Sequence, residues 1–256
     1  MPPTDASAGT GPAPAQPGPT GPRADVTGPR TSRFRGFTVE DDDPDSEDTL
    51  ELRLPTEFVA LPAGSTADLL DRIPSWGPVM TSVGAFRLAP VRIEQDLPLL
   101  QRWMNDPVVA EFWELAGPRH RTADHLRAQL GGGGRSVPCL GVLDGRPMSY
   151  WEIYRADLDP LARHYSARPH DTGIHVLLGD AADRGRGVGS ALLRAVADLI
   201  LDRRPACTRV VAEPALGNTP SVSAFLSAGF RFAAEIDLPG KRAALMIRDR
   251  SLRQLL

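Results

Sequence analysis

Apolar positions are distributed very unevenly along this chain. Residues 2–30, PPTDASAGTGPAPAQPGPTGPRADVTGPR, hold almost nothing apolar larger than Ala or Val. Such a segment cannot bury enough surface to offset its ordering entropy, and disorder is expected there. An acidic run, Glu40 to Asp48, follows; its like charges repel and keep it extended, which makes 1–48 a solvated tail. Residues 49–85 carry Leu52, Leu54, Phe58, Val59, Leu61, Leu69, Leu70, Ile73 and Trp76, but also four prolines between Pro55 and Pro78. That mixture predicts an extended arm lying on the main domain.

Regular periodicity begins at Phe86. Phe86 to Val91 alternates as an edge strand does, and Ile93 to Met104 places Leu97, Leu100, Trp103 and Met104 on one helical stripe closed by Asn105-Asp106-Pro107. A second helix is predicted over Thr122 to Leu130, with Thr122 as N-cap and glycines 131 to 134 as its stop. Val137 to Leu143 and Pro147 to Tyr154 read as strands of a hairpin turning at Asp144-Gly145. A strand at Thr172 to Leu178, a helix at Gly187 to Asp202, a strand at Arg209 to Glu213 and a helix at Pro220 to Ala228 come next. Strands near Phe230 to Ile236 and Ala243 to Arg248 end the pattern. The order predicts an α/β domain over 86–256 with one mixed central sheet flanked by helices.

Composition removes several function classes. A net charge of -3 from 29 basic and 32 acidic residues offers no field for nucleic acid or an anionic membrane. No apolar run approaches the roughly 20 residues of a bilayer span. The N-terminus lacks a basic patch followed by an apolar core, so a cytoplasmic location is expected. Cys139 and Cys207 then read as reduced thiols, not as a disulfide framework.

The sharpest chemical signal is Arg184-Gly185-Arg186-Gly187-Val188-Gly189, just after an apolar strand and opening an amphipathic helix. Glycines there leave backbone N–H groups unobstructed at the positive end of a helix, a setting that suits a pyrophosphate. The G-x-G-x-G spacing and its place behind several strands do not fit a dinucleotide fingerprint, and no Gly-Lys-Ser/Thr exists for a P-loop. His175 alternates with Ile174 and Val176 and faces the opposite side of its strand from them. Glu213 stands at the C-terminal end of its strand, where α/β sites collect. It could instead pair with Arg209 or Arg231.

Arg184-x-x-Gly187-x-Gly189 resembles the acyl-CoA pyrophosphate loop of the GNAT N-acyltransferases. Trp103-Met-Asn-Asp-Pro, Phe112-Trp113-Glu114, His125-Leu-Arg-Ala-Gln-Leu, Tyr150-Trp-Glu-Ile-Tyr154, Asp171-Thr-Gly-Ile-His175 and Glu213-Pro-x-x-x-Asn218 are together similar to the siderophore-biosynthesis branch of that family. The resemblance covers about residues 86 to 248.

It implies direct attack of an amine or hydroxylamine nitrogen on an acyl thioester, with acyl-CoA, acetyl or longer, as co-substrate and no metal. The acceptor is a lysine-like small molecule, and an acyl carrier protein is an alternative donor. Monomer and homodimer are both open. In the implied site the strands carrying His175 and Glu213 splay apart around the thioester. Arg184, Gly185, Arg186, Gly187, Val188 and Gly189 hold the pyrophosphate, and Val176, Leu177 and Leu178 offer backbone groups to the acyl-CoA. Asn218 closes the loop after Glu213. His175 orients the nucleophile and Glu213, where the branch has an aspartate, accepts its proton. Phe225 stands where many GNAT enzymes have a tyrosine, so that phenol is missing. Trp113, Trp151, Glu152 and Tyr154 are candidate substrate-pocket residues, although aromatics on strands also serve as core. Asp171 could recognise a charged end of an amino acid or merely cap the sheet. Competing readings are a GNAT enzyme acting on a protein N-terminus or an aminoglycoside, and a non-catalytic acyl-CoA-binding protein.

Overall fold

The computed structural model describes residues 70–255. The expected tail 1–48 and positions 49–69 of the arm lie outside the described residues. Among the described residues eight strands form one sheet: β1 (Val79–Thr81), β2 (Gly84–Pro90), β3 (Ser136–Leu143), β4 (Arg146–Arg155), β5 (Thr172–Leu178), β6 (Arg209–Ala212), β7 (Arg231–Leu238) and β8 (Lys241–Asp249). Their spatial order is β1-β2-β3-β4-β5-β6-β8-β7, antiparallel throughout except between β5 and β6. The helices are α1 (Ile93–Met104), α2 (Pro107–Trp113), α3 (Arg119–Leu130), α4 (Val188–Arg203) and α5 (Thr219–Ser227).

Strand parity sorts the core into two layers. Trp151, Ile153 and Ile174 pack with Leu192, Val196, Ile200 and Phe225 of α4 and α5 on one face. Tyr150 and Leu177 pack with Leu97, Leu100, Trp103 and Leu126 of α1 and α3 on the other. The two free cysteines, Cys139 and Cys207, are buried.

Four sequence expectations change. Phe86 does not lie on an edge strand, because Val79 to Thr81 pairs outside it. The described part of the arm, from Leu70 on, joins the core: Leu70, Ile73 and Trp76 are buried, and Arg203 donates to the Trp76 carbonyl at 3.0 Å. The prolines of this segment hid it, since a short strand and a 3-10 turn leave no periodicity to read. Helix α3 begins a turn before Thr122, which is buried inside it. Helix α2 was passed over, although Asp106 caps it by accepting from the Val108 N–H at 2.9 Å and Pro107 occupies its first turn.

Candidate active site

The site forms where β5 and β6 part. They pair only through Thr172 with Val210 and Gly173 with Val211, although β5 runs on to Leu178. β6 ends at Ala212. The chain beyond it instead follows β8, with Ala244 donating to the Pro214 carbonyl and Leu216 to the Arg242 carbonyl. The Gly179 N–H bonds Met148 of β4, and alternation along an antiparallel strand therefore aims the amides of Val176 and Leu178 into the split.

Register sets a row of polar side chains across this opening. Glu152 of β4 lies directly opposite His175 of β5. Its Oε2 stands 2.9 Å from His175 Nδ1, and its Oε1 meets His125 Nε2 of α3 at 2.5 Å and the Tyr150 hydroxyl at 2.9 Å. On the other side His175 Nε2 contacts Glu213 Oε1. Glu213 Oε2 accepts from the Tyr154 hydroxyl at 2.9 Å, and the Tyr154 ring lies 4.8 Å from the imidazole. Gly173 opposite Tyr154 makes this possible, because a Cβ there would stand 2.1 Å from the Tyr154 ring. Lys241, at the β7–β8 turn, donates to the Glu213 carbonyl at 2.8 Å and lies 3.8 Å from its Oε1.

These contacts fix the charges. Burial opposes a charge on His175, but the Glu213 and Glu152 carboxylates outweigh it and push its pKa up to about 10. Burial likewise opposes the Glu152 anion, yet hydrogen bonds from His125 and His175 hold its carboxyl at about 2. Glu213 is held below its usual value against burial by His175, Lys241 and Tyr154. Burial, followed by the Glu213 charge, pushes the Tyr154 phenol far up. The resting site is thus an imidazolium between two carboxylates. His175 remains 35 % exposed and reaches a cavity of about 400 Å³ whose walls include Trp113, His125, Glu152, Val176, Glu213, Asn218, Phe225 and Lys241.

The expected glycine loop leads into α4. Gly185 and Gly187 adopt φ of 71° and 77°, and a Cβ on either would meet nothing within 4 Å, so the space before the helix N-terminus is open. Arg184 opens this loop. Its side chain turns inward, donating to the carbonyls of Leu178 at 3.1 Å and Gly179 at 2.7 Å and pairing with Asp106 at 3.0 Å. It clamps the end of β5 to the start of α2, and its hydrogen bond holds the Asp106 carboxyl below the usual range. Arg186 and Val188 flank the open glycines. Asn218 caps α5, accepting from the Ser221 N–H at 3.1 Å. Leu177 points away into the α1–α3 layer.

Two expected substrate-pocket residues lie elsewhere. Trp151 is fully buried against Phe86 and donates to Ser149 Oγ at 2.9 Å, because its parity places it on the α4 face. Asp171 is fully buried as the partner of Arg209, at 3.0 Å from its Nε, and of the Tyr165 hydroxyl at 3.0 Å. That pairing also removes Arg209 as a partner for Glu213. His125 and Lys241 were missed as site residues. The sequence carried a signal for each: His125 opens one of the motifs shared with the siderophore branch, and Lys241 is the one lysine of the chain.

A family model for the acetyltransferase (GNAT) domain matches residues 92–238. The chain belongs to the GNAT family. This GNAT chain is 33 % identical over 195 residues to the lysine N-acyltransferase MbtK of Mycolicibacterium paratuberculosis, covering 76 % of this chain and 87 % of that one. It is 38 % identical over 167 residues to the N(6)-hydroxylysine O-acetyltransferase of Escherichia coli, covering 65 % of this chain and 52 % of that protein. The match therefore spans about half the length of the latter. A solved structure of AAC(6')-Ib in complex with paromomycin and acetyl-CoA superposes with a TM-score of 0.57 and 25 % identity, covering 66 % of this chain and 96 % of the other. No described helix is long and apolar enough to cross a membrane.

Proposed function

We propose that this protein is an acyl-CoA-dependent N-acyltransferase that acylates the side-chain amine, or N-hydroxylated amine, of lysine or a lysine-like molecule for hydroxamate siderophore assembly. The observation that carries the reading is His175 held between Glu152 and Glu213 at the edge of the β5–β6 split, facing a cavity. The split fits an acyl thioester: the Val176 and Leu178 amides face it, and the open glycines before α4 leave room for a pyrophosphate. When bound, acyl-CoA supplies the activated carbonyl and a thiolate that leaves with a pKa near that of a free thiol.

The chain's own residues position the acceptor and move its proton. His175 orients the nitrogen, and Trp113 walls the cavity beside it at 6.1 Å from the imidazole. The nitrogen attacks the carbonyl carbon, the carbon–sulfur bond breaks, and the amide or hydroxamate and free thiol are the products. Glu213 takes the proton that the nitrogen sheds once it has bonded to carbon, and the backbone amides at the split stabilise negative charge on the thioester oxygen. Glu213 is a weak base in its resting ion pair, which favours an acceptor that is already neutral. An N-hydroxylated amine meets this condition near pH 7, whereas a lysine ammonium, with a pKa of about 10.4, does not.

A thiol-release assay with lysine, N6-hydroxylysine, ornithine and cadaverine against acetyl- and long-chain CoA tests the proposal. The name of the Escherichia coli relative raises oxygen as the alternative nucleophile. The product decides: a hydroxamate gives a coloured ferric complex and an O-acyl ester does not. Thiol release with none of these four amines, or only with an aminoglycoside, would overturn the reading.

A further inference from the structure

The sequence contains one lysine among its 29 basic residues, the other 28 being arginines. That lysine is Lys241, and among the described residues lining the cavity it provides the one ammonium or guanidinium group. A chain that uses arginine everywhere else for surface charge has a lysine beside its carboxylate base. Chemistry distinguishes the two. An arginine here would close a bidentate fork on Glu213 and tie up the base. The Lys241 ammonium instead spends one N–H on the Glu213 carbonyl at 2.8 Å and stays 3.8 Å from the carboxylate. Two of its three donors remain for a ligand, and its side chain is 38 % exposed.

From this geometry we infer that Lys241 is a specificity-determining residue that binds the α-carboxylate of an amino-acid acceptor. The inference rests on the proposed acyl transfer to a lysine-like molecule and names what recognises its far end. Distance supports the assignment. A nitrogen within hydrogen-bond reach of Glu213, and a carboxylate within reach of Lys241, are at most about 10 Å apart. An extended lysine places its side-chain nitrogen and its carboxylate about 7 to 8 Å apart, six bonds of roughly 1.5 Å at tetrahedral angles. The molecule therefore spans the two groups without folding. Glu152, on the other side of the His175 ring from Glu213, repels a carboxylate entering the wrong way round, so Lys241 also sets the orientation.

The test compares L-lysine with cadaverine, which keeps the reacting amine and lacks the carboxylate. In wild type kcat/KM favours lysine, mainly through KM. In Lys241→Gln the lysine-to-cadaverine ratio falls on the order of 10- to 100-fold, the worth of a hydrogen-bonded charge pair. Lys241→Arg keeps the preference for lysine while kcat drops, because its guanidinium engages Glu213. A ratio unchanged in Lys241→Gln, with both substrates falling together, would show that Lys241 acts only as a charge partner of Glu213 and overturn the inference. So would a wild type without preference. Binding of lysine and cadaverine by ligand-observed NMR decides the matter independently of turnover. If no amine is acylated with any acyl-CoA, the proposed function fails, yet lysine affinity lost in Lys241→Gln would still support the anchor and retained affinity would sink it.

Discussion

His175 has a hydrogen-bonding partner on each ring nitrogen, and both are carboxylates. Its proton is stabilised in the folded state, so this contribution to stability is fully present below the unfolded histidine value near 6.5 and is lost as pH rises through about 10. Glu152 works in the opposite sense: its contribution is present above the unfolded glutamate value near 4.3 and is lost as pH falls toward about 2. The His175 ring signal is accordingly expected to stay in its protonated form across pH 7 to 9 by NMR. Glu152→Gln should bring its titration down, because one carboxylate is removed. A titration near 6.5 in wild type would show that the two carboxylates do not hold the ring as described. Glu213→Gln keeps the size of the side chain but cannot take a proton. Its kcat is expected to fall about 100-fold or more on a plain amine and less on an N-hydroxylated one, with acceptor KM little changed. Equal small losses on both substrates would assign the proton to solvent.

At the level of elements, what placed these residues was register, and register is what the sequence shows least well. Alternation along Thr172 to Leu178 was enough to face His175 away from Ile174, and the boundaries of β5 and of α1 were read correctly from periodicity. The cross-strand pairing of Glu152 with His175 and of Tyr154 with Gly173 depends on which strands become neighbours, information held in no single segment. Trp151 was misplaced for the same reason: one step along β4 separates the cavity face from the α4 core. Gly173→Ala offers a direct check, since its Cβ would displace the Tyr154 ring from Glu213. Its kcat should approach that of Tyr154→Phe; a Gly173→Ala enzyme with full activity while Tyr154→Phe is impaired would show that the close approach is not needed. The glycine loop separates in a similar way. Gly187 needs its positive φ of 77°, so alanine there strains the fold, whereas a Cβ at Gly189 meets only Leu178 at an ordinary 3.5 Å. Gly189→Val is therefore the cleaner probe, expected to raise the acyl-CoA KM at least several-fold while leaving the melting temperature within a few degrees.

Over the whole molecule, the site depends on a sheet whose outer strands were only partly legible. Long amphipathic helices and alternating strands announce themselves, but the piece from Leu70 to Thr81 is a proline-bearing 3-10 turn followed by a three-residue strand, and its apolar residues follow no period. Only packing shows what it does. Leu70, Ile73 and Trp76 enter the same core layer as α4, and the Trp76 carbonyl is held by Arg203 near the C-terminal end of that helix. Trp76→Ala should cost about 3 to 5 kcal/mol, the usual range for removing a buried aromatic. A chain begun at Phe86 should lose more than that, since it removes all three side chains and the β1 edge together, and it is expected to melt well below a chain begun at Thr49. Thermal unfolding followed by circular dichroism compares the two directly. Equal melting temperatures would mean that residues 49–85 rest on the domain without supporting it, in line with the extended arm that their prolines suggest.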